Sequence, residues 1–531
     1  MKHFIKISLL SSLIFLAACG EDFLDRPPLD AIVVDNFYQS SEQLRLATGG
    51  MYNVPWFDYN DKVNFSVGDG AAGNFLSNDP AMRQFSVFSA NNSDARIGEA
   101  WRSMYIVIGQ ANNIIHSIKT RSAASIPEED KNAAMAEARF MRGYAYHYLG
   151  MLFGDVPIIA NNIAIVGTPI IPKNMVVDVF QFAINDMMYA ADHLPEVDPQ
   201  AGRVTSWAAK GMLARLYLYR SGLTGSGSRN QADLDMAKNY AEDVIQNSGL
   251  ALMNDYADLF KLENNNNPES LFALQWVDNH TNWGEQNTHQ AYFAPEAVVT
   301  GVGDGWGGAN GATPNMQSLY EDGDERRKHT FMYKGDFYPE LVTKDGGYLY
   351  DLESYAGSAV KKYVIGRPED NDGAVAFMST GINTYMLRLA EVYLIAAEAI
   401  LGNDASTNDA NALNYINTVR TRAGLPDYSS FTFEDLLSEK RLELAMEGRS
   451  WFDMIAWSYF AQEDAIAYIE SQNRGNFEWE TPEGEDENVK IVEDLFVEID
   501  ADDLRLPYPE AEIANNPKLL EEPVAYDFTE N

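Results

Sequence analysis

Across 531 residues the chain carries 78 acidic and 39 basic side chains, a formal charge of -39, with 46% hydrophobic residues and one cysteine. That apolar content supplies a globular core, while the charge argues against a nucleic-acid partner and would repel a polyanionic polysaccharide, leaving a neutral ligand as the better fit. A lone cysteine excludes an internal disulfide and a cysteine metal site.

In chain order, Lys2 and Lys6 precede an apolar run over 7–18 that is too short to cross a hydrocarbon core of roughly 30 Å, so 1–18 reads as an export signal. Leu16-Ala17-Ala18-Cys19 resembles a lipobox, which makes Cys19 the expected lipidation site and the chain a membrane-anchored lipoprotein; two or more acyl chains hold stably. Arg26-Pro27-Pro28 then forms a short stiff tether, so 19–30 is the acylated N-terminus.

Helices follow in pairs. Trp101, Tyr105, Ile108, Asn112 and Ile115 recur at spacings of three and four, predicting a helix over 99–120. Pro127 and the acids after it open a second, which carries Phe140, Tyr144, Tyr148 and Met151 along one face and ends at Gly154. Further helices are predicted over 176–194, 205–220, 231–247, 385–401 and 408–423, the last closed by Gly424. The fold class this predicts is mainly α, a tetratricopeptide-like paired-helix scaffold with long loop-rich insertions, although the 34-residue repeat signature is absent. The main break covers roughly 250–380, rich in Asn, Gly, Asp and aromatics; a second, strongly acidic, covers about 473–503. Loops on a rigid scaffold are where binding residues concentrate.

Five motifs carry a resemblance. They are Glu137-Ala138-Arg139-Phe140-Met141-Arg142-Gly143-Tyr144 with Phe153-Gly154-Asp155-Val156-Pro157; Arg388-Leu389-Ala390-Glu391-Val392-Tyr393 with Ala396-Ala397-Glu398-Ala399; and Ile416-Asn417 with Arg420-Thr421-Arg422-Ala423-Gly424. Arg441 to Arg449 with Trp451-Phe452-Asp453 and Leu506-Pro507-Tyr508-Pro509 with Asn516-Pro517 complete the set. In this order behind a lipobox, they resemble the SusD/RagB family of glycan-binding outer-membrane lipoproteins of Bacteroidetes, and Gly20, Glu21, Asp22 and Asp25 resemble the surface-export signal of such lipoproteins. Lys440 and Ala456 stand where the family prefers arginine. The resemblance implies one SusD-like domain over 31–531, made of a helical part (31–250), a loop-rich glycan-binding region (251–383) and a C-terminal helical part (384–531). It also implies no enzymatic activity, no cofactor, a place on the outer face of the outer membrane, and a SusC-like TonB-dependent transporter as partner.

The charged residues of these motifs lie at helical spacings among apolar ones and read as interhelical ion pairs. Trp101, Trp207, Trp451 and Trp457 fall in helical patterns and read as core. A pyranose offers a flat face of C–H groups to an aromatic ring, with hydroxyls at its edge for polar partners. Trp276, Trp283 and Trp306, with Asp278 and Asn282 beside the first two, are therefore the expected glycan-binding residues, joined by Trp56, Asp58 and Tyr59.

Other chemistry finds little support. Gly303-Asp304-Gly305-Trp306-Gly307-Gly308 matches GxGxxG, but no strand precedes it and no periodic helix follows, so a dinucleotide site is set aside. His280 and His289 make a weak metal argument, and Asp322, Asp324 and Glu325 read as a solvated acidic turn rather than a calcium site. The reading is a glycan receptor for a neutral glucan, with a β-glucan such as laminarin favoured because an acidic surface suits a marine habitat. A surface glycoside hydrolase on an all-helical fold and a protein-interaction scaffold stay open as alternatives.

Overall fold

The computed structural model describes residues 37–278, 282–480 and 488–530. Cys19, the leader, the tether, Asn279 and His280 lie outside them. The main helices are α1 (Ser41–Gly49), α2 (Ala95–Arg121), α3 (Glu128–Phe153), α4 (Val176–His193), α5 (Ser206–Arg220), α6 (Gln231–Asn247), α7 (Leu389–Leu401), α8 (Ala410–Arg422), α9 (Phe433–Leu444) and α10 (Ser450–Ser458). Side chains fix most starts: Asp94, Thr205, Asn230 and Asp409 each accept a hydrogen bond from a first-turn backbone N–H, and Thr432 with Asp435 forms a capping box. Each helix from α2 to α6 packs on the next, and α7 then packs on α6. The paired-helix array is thus continuous in space across an insertion of well over a hundred residues.

That continuity depends on an element the helical reading missed. A helix was expected from Tyr385, but Thr384–Arg388 is a strand, paired antiparallel with Ser270–Leu274 so that Arg388 faces Ser270. Tyr385, Met386 and Leu387 are all buried, so this stretch shows no alternation to separate it from the apolar helix that follows. The two strands bring both ends of the insertion together beside α5. One hydrophobic core runs through the helices from Leu44 to Leu519, and a second, around Phe293, Phe331 and Tyr350 of the insertion, also takes in Phe65 and Phe75 from the N-terminal part.

Trp101, Trp207 and Trp451 are buried in the helical core, and Trp457 caps a small satellite core with Leu437 and Ala465. The motif charges mostly form the expected pairs. Arg142 of α3 holds Asp186 of α4 through two bonds of 2.7 and 2.8 Å, and Arg215 of α5 holds Glu391 of α7 at 2.7 and 2.6 Å. Lys440 reaches Glu398 at 2.5 Å and Asp453 at 2.9 Å, so lysine suffices at this position. Burial alone would raise the Glu398 pKa, but Lys440 and Arg229 outweigh it and hold the carboxyl below its usual range. Arg441 differs: it bonds Asn74, Asn315 and Tyr468, all neutral. Asp324 is spent on Arg326, whose guanidinium donates at 2.9 and 2.8 Å. Among the described residues no helix is long and apolar enough to cross a membrane, and no group of three or more His, Cys, Asp or Glu side chains could hold a metal.

Candidate functional site

Two indoles stand out from the insertion. Trp283 is 63% exposed and Trp306 is 45% exposed, large apolar areas to leave in water unless something covers them. Each is backed by further rings. Trp283 meets Phe57 edge to face at 5.3 Å, and Phe57 meets Trp276 in the same way at 6.3 Å. Trp306 leans on Tyr292 at 5.8 Å and takes the edge of Phe377, itself 55% exposed, at 6.0 Å.

One short run links the two aromatic groups. Phe57 supports Trp283, while Asp61 accepts from the Tyr292 hydroxyl at 3.2 Å and from Thr288 Oγ1 at 2.7 Å, fixing the ring beneath Trp306. Between them Asp58 takes the Arg102 guanidinium at 2.6 Å, and Lys62 bonds Asp79 at 3.2 Å and lies over the Tyr292 ring. The segment is wound as two wide turns with bonds spanning five residues, Tyr59–Val63 and Ser66–Ala71, a rare geometry frequent at functional sites. Two flat faces joined by half-exposed carboxylates and cations offer C–H stacking and hydroxyl partners together.

Glycines raise Trp306. A Cβ on Gly307 would fall 2.0 Å from the Phe293 carbonyl oxygen, and one on Gly305, at φ +114°, would lie 2.7 Å from the Glu296 backbone. Gly305, Gly307 and Gly308 of the GxGxxG-like run therefore serve close packing of backbone on backbone, while Gly303, at φ +95°, meets open space. Asp304 is buried and accepts from the Met378 N–H at 2.5 Å, which ties the Phe377 segment to the Trp306 loop.

Several expected contacts are corrected. Trp56 is 0% exposed; its indole N–H donates to the Met51 carbonyl and its ring meets Tyr144 of α3. Tyr59 is buried against Tyr148. Both side chains face the helical core, so neither can offer a face to a sugar. Trp276, 5% exposed with its N–H on Thr384 Oγ1 at 3.0 Å, supports the platform from below. Asp278 is half-buried, and Asn282 is exposed, with a long bond of 3.5 Å to Glu285. His289 is buried, bonded to the Asn60 backbone carbonyl, and burial lowers its pKa to about 4. Phe57, Tyr292, Arg102 and Phe377 were not singled out as ligand contacts; only Tyr292 carried a signal, its place in the aromatic-rich loop.

Glu99 of α2 adjoins this strip. Burial pushes its carboxyl up to about 7; Arg96 works against that and the nearby Asp58 and Asp61 carboxylates add to it. An acid with a folded pKa above its unfolded one stabilises the fold fully below the unfolded value of 4.5, and that contribution is lost as pH rises through about 7. Glu99→Gln is therefore expected to raise Tm over the parent near about pH 8 and to leave it unchanged near about pH 4. An equal gain at both pH values would rule out this titration.

A family profile described as SusD family matches residues 268–524, and another, described as starch-binding associating with outer membrane, matches residues 22–218. A SusD-like protein of Bacteroides ovatus is 41% identical over 555 residues, covering 100% of each chain. A crystal structure with xylogluco-oligosaccharide is 40% identical with a TM-score of 0.85, covering 92% of this chain and 99% of that one. A laminarin-binding SusD-like protein, 22% identical with a TM-score of 0.69 over 92% of this chain and 100% of its own, shares the fold. The continuous paired-helix array, the strand-closed insertion and full-length identity to a SusD-like relative agree, and the chain belongs to the SusD family of carbohydrate-binding proteins.

Proposed function

We propose that the chain is a non-catalytic surface receptor that captures a neutral β-glucan oligosaccharide on Trp283 and Trp306 and delivers it to a SusC-like TonB-dependent transporter. The observation that carries this is the pair of exposed indoles joined through Phe57, Asp58, Asp61 and Lys62. The structure at 40% identity holds a xylogluco-oligosaccharide, by its name a neutral glycan of glucose and xylose. A xyloglucan fragment is thus the first ligand to test, ahead of the laminarin favoured by habitat. Calorimetry with xyloglucan oligosaccharides, laminarin oligosaccharides and a polyuronate is expected to rank them in that order, with Kd for the best of roughly 10 μM to 1 mM. Binding of the polyuronate alone would overturn the neutral-ligand reading. New reducing ends during incubation would make the protein a hydrolase, and failure of every glycan to bind would favour an interaction scaffold.

Anchoring through Cys19 in the outer membrane completes the reading. Cys19→Ala is expected to leave a folded protein in the soluble fraction, since no described helix can cross a membrane. The anchor assignment fails if the variant still pellets with membranes after a high-salt wash in cells lacking the transporter.

A further inference from the structure

The insertion holds a cavity of about 420 Å³ that shares no lining residue with the aromatic platform. This is within the range of small-molecule pockets. Phe260, Leu262, Val364 and Ile365 make it apolar on one side. Set among them is Lys361, 8% exposed, whose Nζ donates to the Val364 carbonyl at 2.9 Å. Its nearest carboxylate is Glu340, exposed at the rim and 3.5 Å away. An ammonium has three donors, and a contact of that length satisfies one poorly.

The other deeply buried lysines of this acidic chain are treated differently. Lys362 has Glu447 at 2.9 Å, and Lys440 has Glu398 at 2.5 Å and Asp453 at 2.9 Å. Lys361 is thus a buried ammonium whose nearest carboxylate, Glu340, stands off at 3.5 Å; burial lowers its pKa against the pull of Glu340, and it lines a cavity. Beside it His329, from the helix Glu325–Thr330, lines the same space and makes no hydrogen bond through its ring among the described residues. Burial, then Lys361, brings the His329 pKa down to about 4, so the ring is neutral and one nitrogen carries a proton to donate.

We propose that this cavity binds a small monocarboxylate with an apolar body, such as an arylacetate. Its carboxylate takes the free hydrogens of Lys361 and the N–H of His329, and its body lies on Phe260, Leu262 and Ile365. The remaining polar groups of the wall decide against other ligands. Asp370 already accepts from the Val342, Thr343 and Arg367 backbone and from Thr343 Oγ1, and the Asn371 amide donates to the carbonyls of Ile365 and Arg367. Few polar partners are left for a ring of sugar hydroxyls. A dianion such as phosphate meets one buried positive charge, the half-buried Lys261 already held by Asp258 at 2.6 Å, and the carboxylates of Glu263 and Glu340 at the edge.

The test uses the full chain with phenylacetate, phenylacetamide, inorganic phosphate and glucose as probes, read by ligand-observed NMR and calorimetry. Phenylacetate is expected to bind with Kd of roughly 0.1 to 1 mM, and the amide at least about tenfold more weakly. Lys361→Met, which keeps the apolar stem, should weaken phenylacetate about tenfold or more and leave glycan binding unchanged; Glu340→Gln should strengthen phenylacetate a few-fold. If Lys361→Met does not fold, the acid-to-amide ratio in the parent and the Glu340→Gln result decide. The proposal is overturned if phenylacetate fails to bind at about 10 mM, if acid and amide bind equally, if folded Lys361→Met binds as the parent does, or if phosphate or glucose binds more tightly.

Discussion

Replacing Trp283 or Trp306 by alanine is expected to weaken binding of the recognised oligosaccharide about tenfold each, and replacing both is expected to abolish measurable binding. Aromatic anchors at binding sites commonly contribute on the order of 1 to 2 kcal/mol each, and weak glycan affinity leaves little once two are lost. Stability should fall little, because both rings stand outside the two cores and touch them through an edge or a tilted face. Trp451→Ala should do the reverse. That ring is 2% exposed and packed on Phe88, so truncation leaves a core cavity costing about 3 to 5 kcal/mol with no direct effect on ligand contacts. Calorimetry and melting curves on the same variants separate the two classes. Should both platform tryptophans be dispensable for a glycan that the parent binds, the platform assignment falls; Trp56 and Tyr59 cannot replace it while they stay buried.

Glu443→Gln is expected to be the most damaging single substitution in the scaffold. Glu443 of α9 is fully buried and meets Arg388 at 2.5 Å, Arg326 at 3.3 Å and Arg422. Burial would raise its pKa, but Arg422, Arg388 and Arg326 together drive it far below the ordinary carboxylate range. Neutralising it removes the one carboxylate that all three arginines share; Arg388 keeps Glu269 and Glu447, Arg326 keeps Asp324 and Glu439, and Arg422 keeps Glu269. The loss is one negative charge from a buried network, and removal of one partner of a buried pair costs about 3 to 5 kcal/mol. Chemical denaturation should show this as a lower midpoint with the slope unchanged. The pH dependence has a definite sign. An acid with a depressed folded pKa contributes stability that is complete above its unfolded value of 4.5 and is lost as pH falls toward the folded one. The parent should therefore lose stability steeply below about pH 4, and the variant less steeply. A variant as stable as the parent at neutral pH would show that Glu269, Glu447, Asp324 and Glu439 suffice to balance the arginines.

The helices were legible because their signals are local. The start of α6 at Gln231 and its end at Asn247 follow from an Asn cap, an apolar stripe and the polar residues after it, all within one segment. The strand at Thr384–Arg388 was not legible, because what makes it a strand is Ser270–Leu274, more than a hundred positions earlier. The same distinction sorts the tryptophans. Trp101 and Trp451 lie on helical stripes whose buried side is set by periodicity, whereas Trp56, Trp276, Trp283 and Trp306 sit in irregular chain with no period to say which way a ring faces.

The amino-acid sequence alone therefore carries the run of helices and the family motifs, the acidic balance that makes a neutral ligand the expectation, and the pattern from which an export leader and lipobox are proposed, since each is a property of adjacent residues. Tertiary structure alone decided which rings reach solvent. Trp276 is covered because Phe57 and Thr384 close over it from distant segments. Trp306 stays exposed because glycines let its loop settle on the backbone of residues 293–297, and Phe377 joins it because Asp304 holds the Met378 N–H. Exposure is fixed by what packs from elsewhere in the chain, and in irregular segments no local pattern encodes it.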